Sequence, residues 1–239
     1  MTDCASCVVR NRAICASLNP EELLLLGKMG RKQRVKAGQT LLWEGDDAPV
    51  VANVLEGVLK LVVATADGRE QIVGIVFPSD FIGRPFGKES PYSVTAMTDA
   101  EVCIFNRNAF DEFAGNHPDL QQKLLRRTLD ELDRARHWMM LLGRKSASEK
   151  VASFLLDMFD RLRVTDDSVS DSFDLKLTQE EIGDSIGLTS VHVNRMIRQM
   201  EQEGLISRSN GRITLHQMGR LEEIGHYTNR HKDMDLDWL

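Results

Sequence analysis

The 239-residue chain is predicted to be an α+β protein, with a β-roll in its first half, a long central helix and a C-terminal winged helix-turn-helix. Three observations predict this. From Val35 to Phe105, short β-branched runs alternate with Gly38, Gly45, Gly57, Gly68, Gly74 and Gly83, the punctuation of an all-β segment. After Pro118, apolar residues recur at spacings of three and four, which is a helical period. From Leu177 onward, two short helical patterns flank a glycine and are followed by two β-runs around Asn210-Gly211. A chain of this size supports two modest cores.

The runs Val58 to Val63 and Gln71 to Val76 are short enough for a roll or small barrel, and Asp67-Gly68 between them marks a hairpin. On the long helix, Leu125, Thr128, Leu132, Ala135, Met139 and Leu142 form a heptad seam. Two such seams pack together and exclude water, so this stripe is the expected interface of a homodimer. Leu120, Leu124 and Trp138 supply a second apolar face, expected to cover the roll. Gly143 should break the helix, and Ser146 with Glu149 forms a capping box for the next one. The acidic, serine-rich stretch from Arg161 to Asp174 reads as a connecting loop. The expected divisions are an N-terminal cysteine segment (1–18), the roll (19–117), the dimer helix (118–143), the winged helix (144–226) and a tail (227–239).

Thr178 and Glu181 form a second capping box, Gly187 supplies a turn, and Thr189 caps the following helix. In that helix Val193, Met196, Ile197 and Met200 share one buried stripe. Val191, Arg195, Arg198 and Gln202 then point outward, with His192 and Asn194 on the flanks. A valine can touch thymine methyl groups and an arginine can bond guanine O6 and N7 or a phosphate, so this face suits a major groove. The expected DNA-binding set is Thr178, Thr189, Ser190, Val191, His192, Asn194, Arg195 and Arg198, with Arg208 and Arg212 at the tip of the wing.

A net charge of −6 argues against a chain that coats nucleic acid non-specifically, so DNA contact must come from a local basic face. With 42% hydrophobic residues and no apolar stretch long enough for a membrane span or secretory signal, a cytoplasmic protein without membrane contact is expected. The sequence has no glycine-rich nucleotide fingerprint and no acid–base constellation, so an enzyme is not expected. Cys4, Cys7 and Cys15 crowd into the first fifteen residues and Cys103 stands alone. In a reducing compartment each is a small buried hydrophobe, a ligand or a reactive thiol.

In this order of parts the chain resembles the cyclic AMP receptor protein and fumarate and nitrate reductase regulator (CRP/FNR) superfamily. Lys36 to Asp46 is similar to the opening of its cyclic-nucleotide-binding-like jelly roll, and Leu188 to Gly204 to its recognition region. The nucleotide-binding members carry a Gly-Glu pair and a downstream Arg-Ser or Arg-Thr. Here those positions read Gly83-Arg84 and Pro91 to Thr95, so a cyclic phosphate lacks its bidentate partner. The FNR branch binds a [4Fe-4S] cluster through three N-terminal cysteines and one in the roll. Cys4, Cys7, Cys15 and Cys103 match that layout, and their C-x2-C-x7-C spacing resembles FnrL-type members. Pro78 to Pro85 and Trp138 to Lys145 are also similar to that subgroup.

The resemblance implies a cluster-bound dimer that binds a palindromic operator, meets RNA polymerase, and controls anaerobic or microaerobic genes in response to oxygen. Arg10 and Arg12, between the second and third cysteines, are expected to favour the thiolates. Zinc competes for four thiolates, and a zinc-fixed or small-molecule-occupied sensor is the alternative within the family. An iron-sulfur redox enzyme would need a substrate pocket or partner cofactor that the sequence does not indicate. Family members read a TTGAT-like half-site with Glu, Ser and Arg. Those positions here hold Val191, Asn194 and Arg195, so preference at one base is expected to change.

Overall fold

The computed structural model describes residues 4, 6–165 and 171–228, so most of the tail (229–239) lies outside it. The chain divides into two compact units, Met1–Leu132 and Asp133–Leu239. No helix among the described residues is long and apolar enough to cross a membrane.

The first unit opens with a 3-10 turn at Ile14–Ser17 and helix α1 (Pro20–Met29). Asn19 caps α1: its side chain accepts from Glu21 and Glu22 N–H, and Glu22 returns a bond to the Asn19 N–H. Eight strands follow: β1 (Arg31–Val35), β2 (Thr40–Leu42), β3 (Val50–Glu56), β4 (Leu59–Ala64), β5 (Glu70–Val76), β6 (Phe81–Ile82), β7 (Ser93–Ala96) and β8 (Ala100–Asn106). They form two four-stranded sheets, ordered β1-β8-β3-β6 and β2-β7-β4-β5. The Asp67-Gly68 hairpin joins β4 to β5 as expected, closed by the Thr65 N–H on the Arg69 carbonyl.

Side-chain alternation along β8 splits the unit into two cores. Val102 and Ile104 join Val54, Leu59 and Val94 in the first. Cys103 and Phe105 point the other way, against Leu23 and Leu26 of α1, Phe110 of α2 (Arg107–Gly115) and Leu120 of α3 (Pro118–Arg144). That second core also holds the other three cysteines.

Helix α3 spends its first part in the first unit and the rest in the second. It runs through Gly143, which was expected to break it, and stops at Arg144. The Ser146–Glu149 box then starts α4 (Ala147–Thr165), with the Ser146 N–H donating to Glu149 Oε2 at 2.6 Å. Leu120 and Leu124 pack into the cysteine-bearing core, as their face predicted. Trp138 does not join them. Its ring meets Phe154 of α4 edge-on, with centroids 6.1 Å apart, because the helix has passed into the second unit by that point.

The second unit is built on α4, whose Val151, Phe154, Leu155 and Phe159 are fully buried. Around it stand β9 (Ser172–Asp174), α5 (Gln179–Ile186), α6 (Ser190–Gln202), the hairpin β10 (Ile206–Ser209) and β11 (Arg212–Leu215), and α7 (Met218–Gly225). The predicted loop from Arg161 to Asp174 is corrected at both ends. Arg161 to Thr165 extend α4, and Ser172–Asp174 pair with β11, Phe173 opposite Ile213. Phe173 is buried on Phe159, and that contact makes a strand of a polar stretch.

Candidate DNA interface and thiol cluster

Helices α5 and α6 are each started by a hydroxyl cap. Thr178 Oγ1 accepts from the Glu181 N–H at 3.1 Å, and Glu181 Oε2 accepts from the Thr178 N–H at 3.0 Å. Gly187 ends α5 at φ 65°, in the left-handed region. Thr189 then caps α6, its hydroxyl accepting from the His192 N–H and lying 2.9 Å from His192 Nδ1. Val193, Ile197 and Met200 are buried and Met196 is half-buried, as the period predicts.

The opposite face stands in solvent. Thr189, Ser190, Val191, His192, Arg195 and Arg198 are exposed, Val191 by 75%. Val191, Asn194, Arg195 and Arg198, with Gln199 and Gln202, line one open depression of about 470 Å³. Gln202 was expected on this outward face, and Gln199 adds to it. Asn194 is oriented from another helix: Gln179 Nε2 on α5 lies 3.4 Å from its Oδ1.

The wing differs from the expectation in its charges. Asn210 and Gly211 take φ 51° and 82°, a two-residue hairpin turn. Arg208 turns back from that tip, bonding both carboxylate oxygens of Glu201 at 3.1 and 2.9 Å. Arg212 bonds Asp174 and Ser172 at 3.2 and 3.3 Å. Each wing arginine therefore has a carboxylate partner to exchange before it can hold a phosphate. Arg195 and Arg198 lie on the more open face.

The seam predicted on α3 is exposed along its length. Leu125, Leu132, Met139 and Leu142 are 59%, 44%, 71% and 36% exposed, and Thr128 and Ala135 are exposed between them. Leu129 and Met140, which the heptad reading left out, widen the stripe. Thr128 donates its hydroxyl to the Leu124 carbonyl at 2.9 Å, which leaves its methyl to the seam. An apolar stripe this long, open to water in one chain, calls for a partner.

In the first unit, the four cysteines share the core behind β8. Cys15 and Cys103 are buried and Cys4 and Cys7 are half-buried against the same cluster. Gly30 makes room for Cys103, since a Cβ there would sit 3.2 Å from its sulfur and 2.7 Å from the Phe105 ring. Burial raises the Cys15 pKa to about 11, helped by the neighbouring Cys7 and Cys4, while its own backbone amide and Arg127 draw it down.

Among the described residues, no three His, Cys, Asp or Glu side chains are drawn together as a metal-holding group. What the structure shows is the donor set. Four thiols, outside any disulfide, share one largely apolar core, which suits a soft-metal or iron-sulfur group. The cation acting on Cys15 is Arg127 of α3, and the Arg10 carbonyl accepts a weak contact from Cys15 Sγ at 3.9 Å.

Comparison with known proteins bears on both halves. Residues 32–117 match the family described as cyclic nucleotide-binding domain, and residues 149–224 match the Crp-like helix-turn-helix domain. Over 207 residues the chain is 43% identical to the transcriptional activator protein FnrL of Cereibacter sphaeroides, covering 85% of this chain and 84% of the relative. It is 36% identical over 221 residues to the nitrogen fixation regulation protein FixK of Bradyrhizobium diazoefficiens, covering 92% and 93%. The solved structure of FixK2 from Bradyrhizobium japonicum superposes with a TM-score of 0.78 at 30% identity, over 83% of this chain and 98% of that one.

Proposed function

The chain belongs to the Crp/FNR family of DNA-binding transcription regulators, and on that premise we propose that it senses oxygen through a [4Fe-4S] cluster held by Cys4, Cys7, Cys15 and Cys103. The observation that carries the proposal is the convergence of all four thiols on the core that also buries Leu120 and half-buries Leu124 of the dimer helix. When bound, such a cluster supplies an oxidisable inorganic centre ligated by thiolates. The residues of the chain do the rest.

Ligation of Cys4 and Cys7 ties the N-terminal segment to Cys103 on β8, and so fixes the core that Leu120 and Leu124 enter. A fixed α3 presents its exposed seam, Leu125 to Leu142, to a second copy. Dimerisation sets two α6 helices about one DNA turn apart, on a palindromic operator. Val191, Asn194 and Arg195 then read bases, and Thr178, Thr189 and Ser190 lie beside the phosphates. Each recognition unit alone has few contacts, so pairing raises affinity steeply. Contact with RNA polymerase completes the activator reading suggested by the relatives' names.

Operator binding is the test. Anaerobic protein reconstituted with ferrous iron and sulfide should bind a palindromic site at least about tenfold more tightly than the iron-free chain. Equal affinity of the two forms rejects oxygen control through the cysteines and leaves a winged-helix regulator with a different signal.

A further inference from the structure

One guanidinium in the first unit joins three separate parts of the chain. Leu120, Leu124 and Arg127 lie at positions i, i+4 and i+7 of α3, on the face turned from the seam. The two leucines enter the cysteine core, and Arg127 ends that face with a charge. Its Nη1 pairs with Asp80 Oδ1 at 3.5 Å, both side chains about one quarter exposed. Its Nη2 donates a short bond to the Arg12 carbonyl.

Each partner is itself held in place. Asp80 sits in the turn between β5 and β6, where Oδ2 accepts the Phe77 N–H at 2.9 Å and its carbonyl accepts the Val54 N–H at 2.9 Å. Arg12 precedes Ala13 and Ile14, both fully buried, and Cys15 follows them. The Ala13 N–H is bonded to the Val9 carbonyl at 2.8 Å, so the turn between Cys7 and Cys15 is already wound when Arg127 grips it.

We propose that Arg127 is the positioning residue that fastens the cysteine-bearing segment to the long helix and to the roll. This rests on the reading of the cysteines as ligands, but the fastening itself needs no metal. A guanidinium suits the task because its planar fork serves a carboxylate and a carbonyl at once, which an ammonium cannot do in the same plane. The next residue, Thr128, already belongs to the exposed seam. Movement of the cysteine segment therefore reaches the helix that meets the second copy through Arg127, beside the packing of Leu120 and Leu124.

The test exploits the fact that the gripped carbonyl belongs to the Arg12–Ala13 peptide, a tryptic bond. The full chain, prepared without iron, is digested with limiting trypsin, and the cut after Arg12 is timed by mass spectrometry. Because Ala13 is buried, cleavage needs local opening. Arg127→Gln should speed this cut about tenfold and leave cuts in the second unit unchanged. Arg127→Lys should fall between the two, and Asp80→Asn should give a smaller acceleration. If circular dichroism shows that Arg127→Gln does not fold, Asp80→Asn decides.

Equal cutting after Arg12 in every folded variant overturns the proposal. A second arm reconstitutes each protein with iron and sulfide and follows its visible absorbance in air. Faster fading in Arg127→Gln supports the fastening role, and identical fading overturns it. Failure of every form to take up iron, with the faster cut retained, rejects the iron-sulfur reading and leaves the clasp standing.

Discussion

In the second unit, both helices of the recognition motif start on hydroxyl caps and rest on a buried stripe, and the reading face is complete in a single chain. In the first unit, the four thiols share one core, yet among the described residues no three metal-ligating side chains are drawn into one group. The contrast suits a sensor joined to a reader. The reader must keep one shape, while a thiol core that closes only around its ligand can report whether the ligand is there. The seam on α3 lies between these roles, since it is regular in sequence yet open to water in the single chain.

The comparison can be broken most severely at the seam. Leu132→Asp places a carboxylate where two apolar stripes should meet, and should weaken the dimer by about 3 kcal/mol or more, over a hundredfold. Sedimentation measures this, and an unchanged dimer would place the interface elsewhere. On the reading face, Arg195→Ala should cost about 1–3 kcal/mol of operator affinity and relax sequence preference. Arg208→Ala, at a residue already paired with Glu201, should cost less and leave preference intact. Binding isotherms on matched and mutated sites separate the two, and equal losses would mean that the wing exchanges its partners freely.

The thiol core makes its own prediction in the iron-free protein. The folded state keeps the Cys15 proton up to about pH 11, whereas the ordinary thiol value is 9.0. Between those values the unfolded chain binds fewer protons than the folded one. Stability is therefore fully present below the lower value and falls as pH rises towards the upper, by about 2 kcal/mol. Denaturant titrations across that range should show the fall, and Cys15→Ala should flatten it. The smallest effect belongs to the reader: Thr178→Ala removes one cap of α5 and should cost about 1 kcal/mol of thermal stability.

Periodicity made much of this legible. The capping boxes at Ser146 and Thr178, the buried stripe of α6, the seam of α3 and the Asp67-Gly68 hairpin all follow from residues close in sequence. The misreadings share a cause, which is that period identifies a face but not its neighbour. The period of α3 points Trp138 to the roll, yet it packs on Phe154, because nothing local shows where α3 changes units. Strand β9 hid in a serine-rich acidic stretch, since its one decisive residue, Phe173, gains meaning only against Phe159 and Ile213. Nothing local sets Arg127 apart from the other charges of α3, since its partners Asp80 and Arg12 come from distant parts of the chain. The grouping of Cys103 with the N-terminal three, by contrast, comes from the family resemblance, and alternation along β8 does turn Cys103 into the core that they share.

The most direct test of the account is the iron and sulfide content of anaerobically purified protein, compared with that of Cys15→Ser and Cys103→Ser. The account predicts about four irons and four sulfides per chain, with visible absorbance that fades in air, and loss of both in either variant. Zinc in their place, or no metal in the unaltered protein, would contradict it.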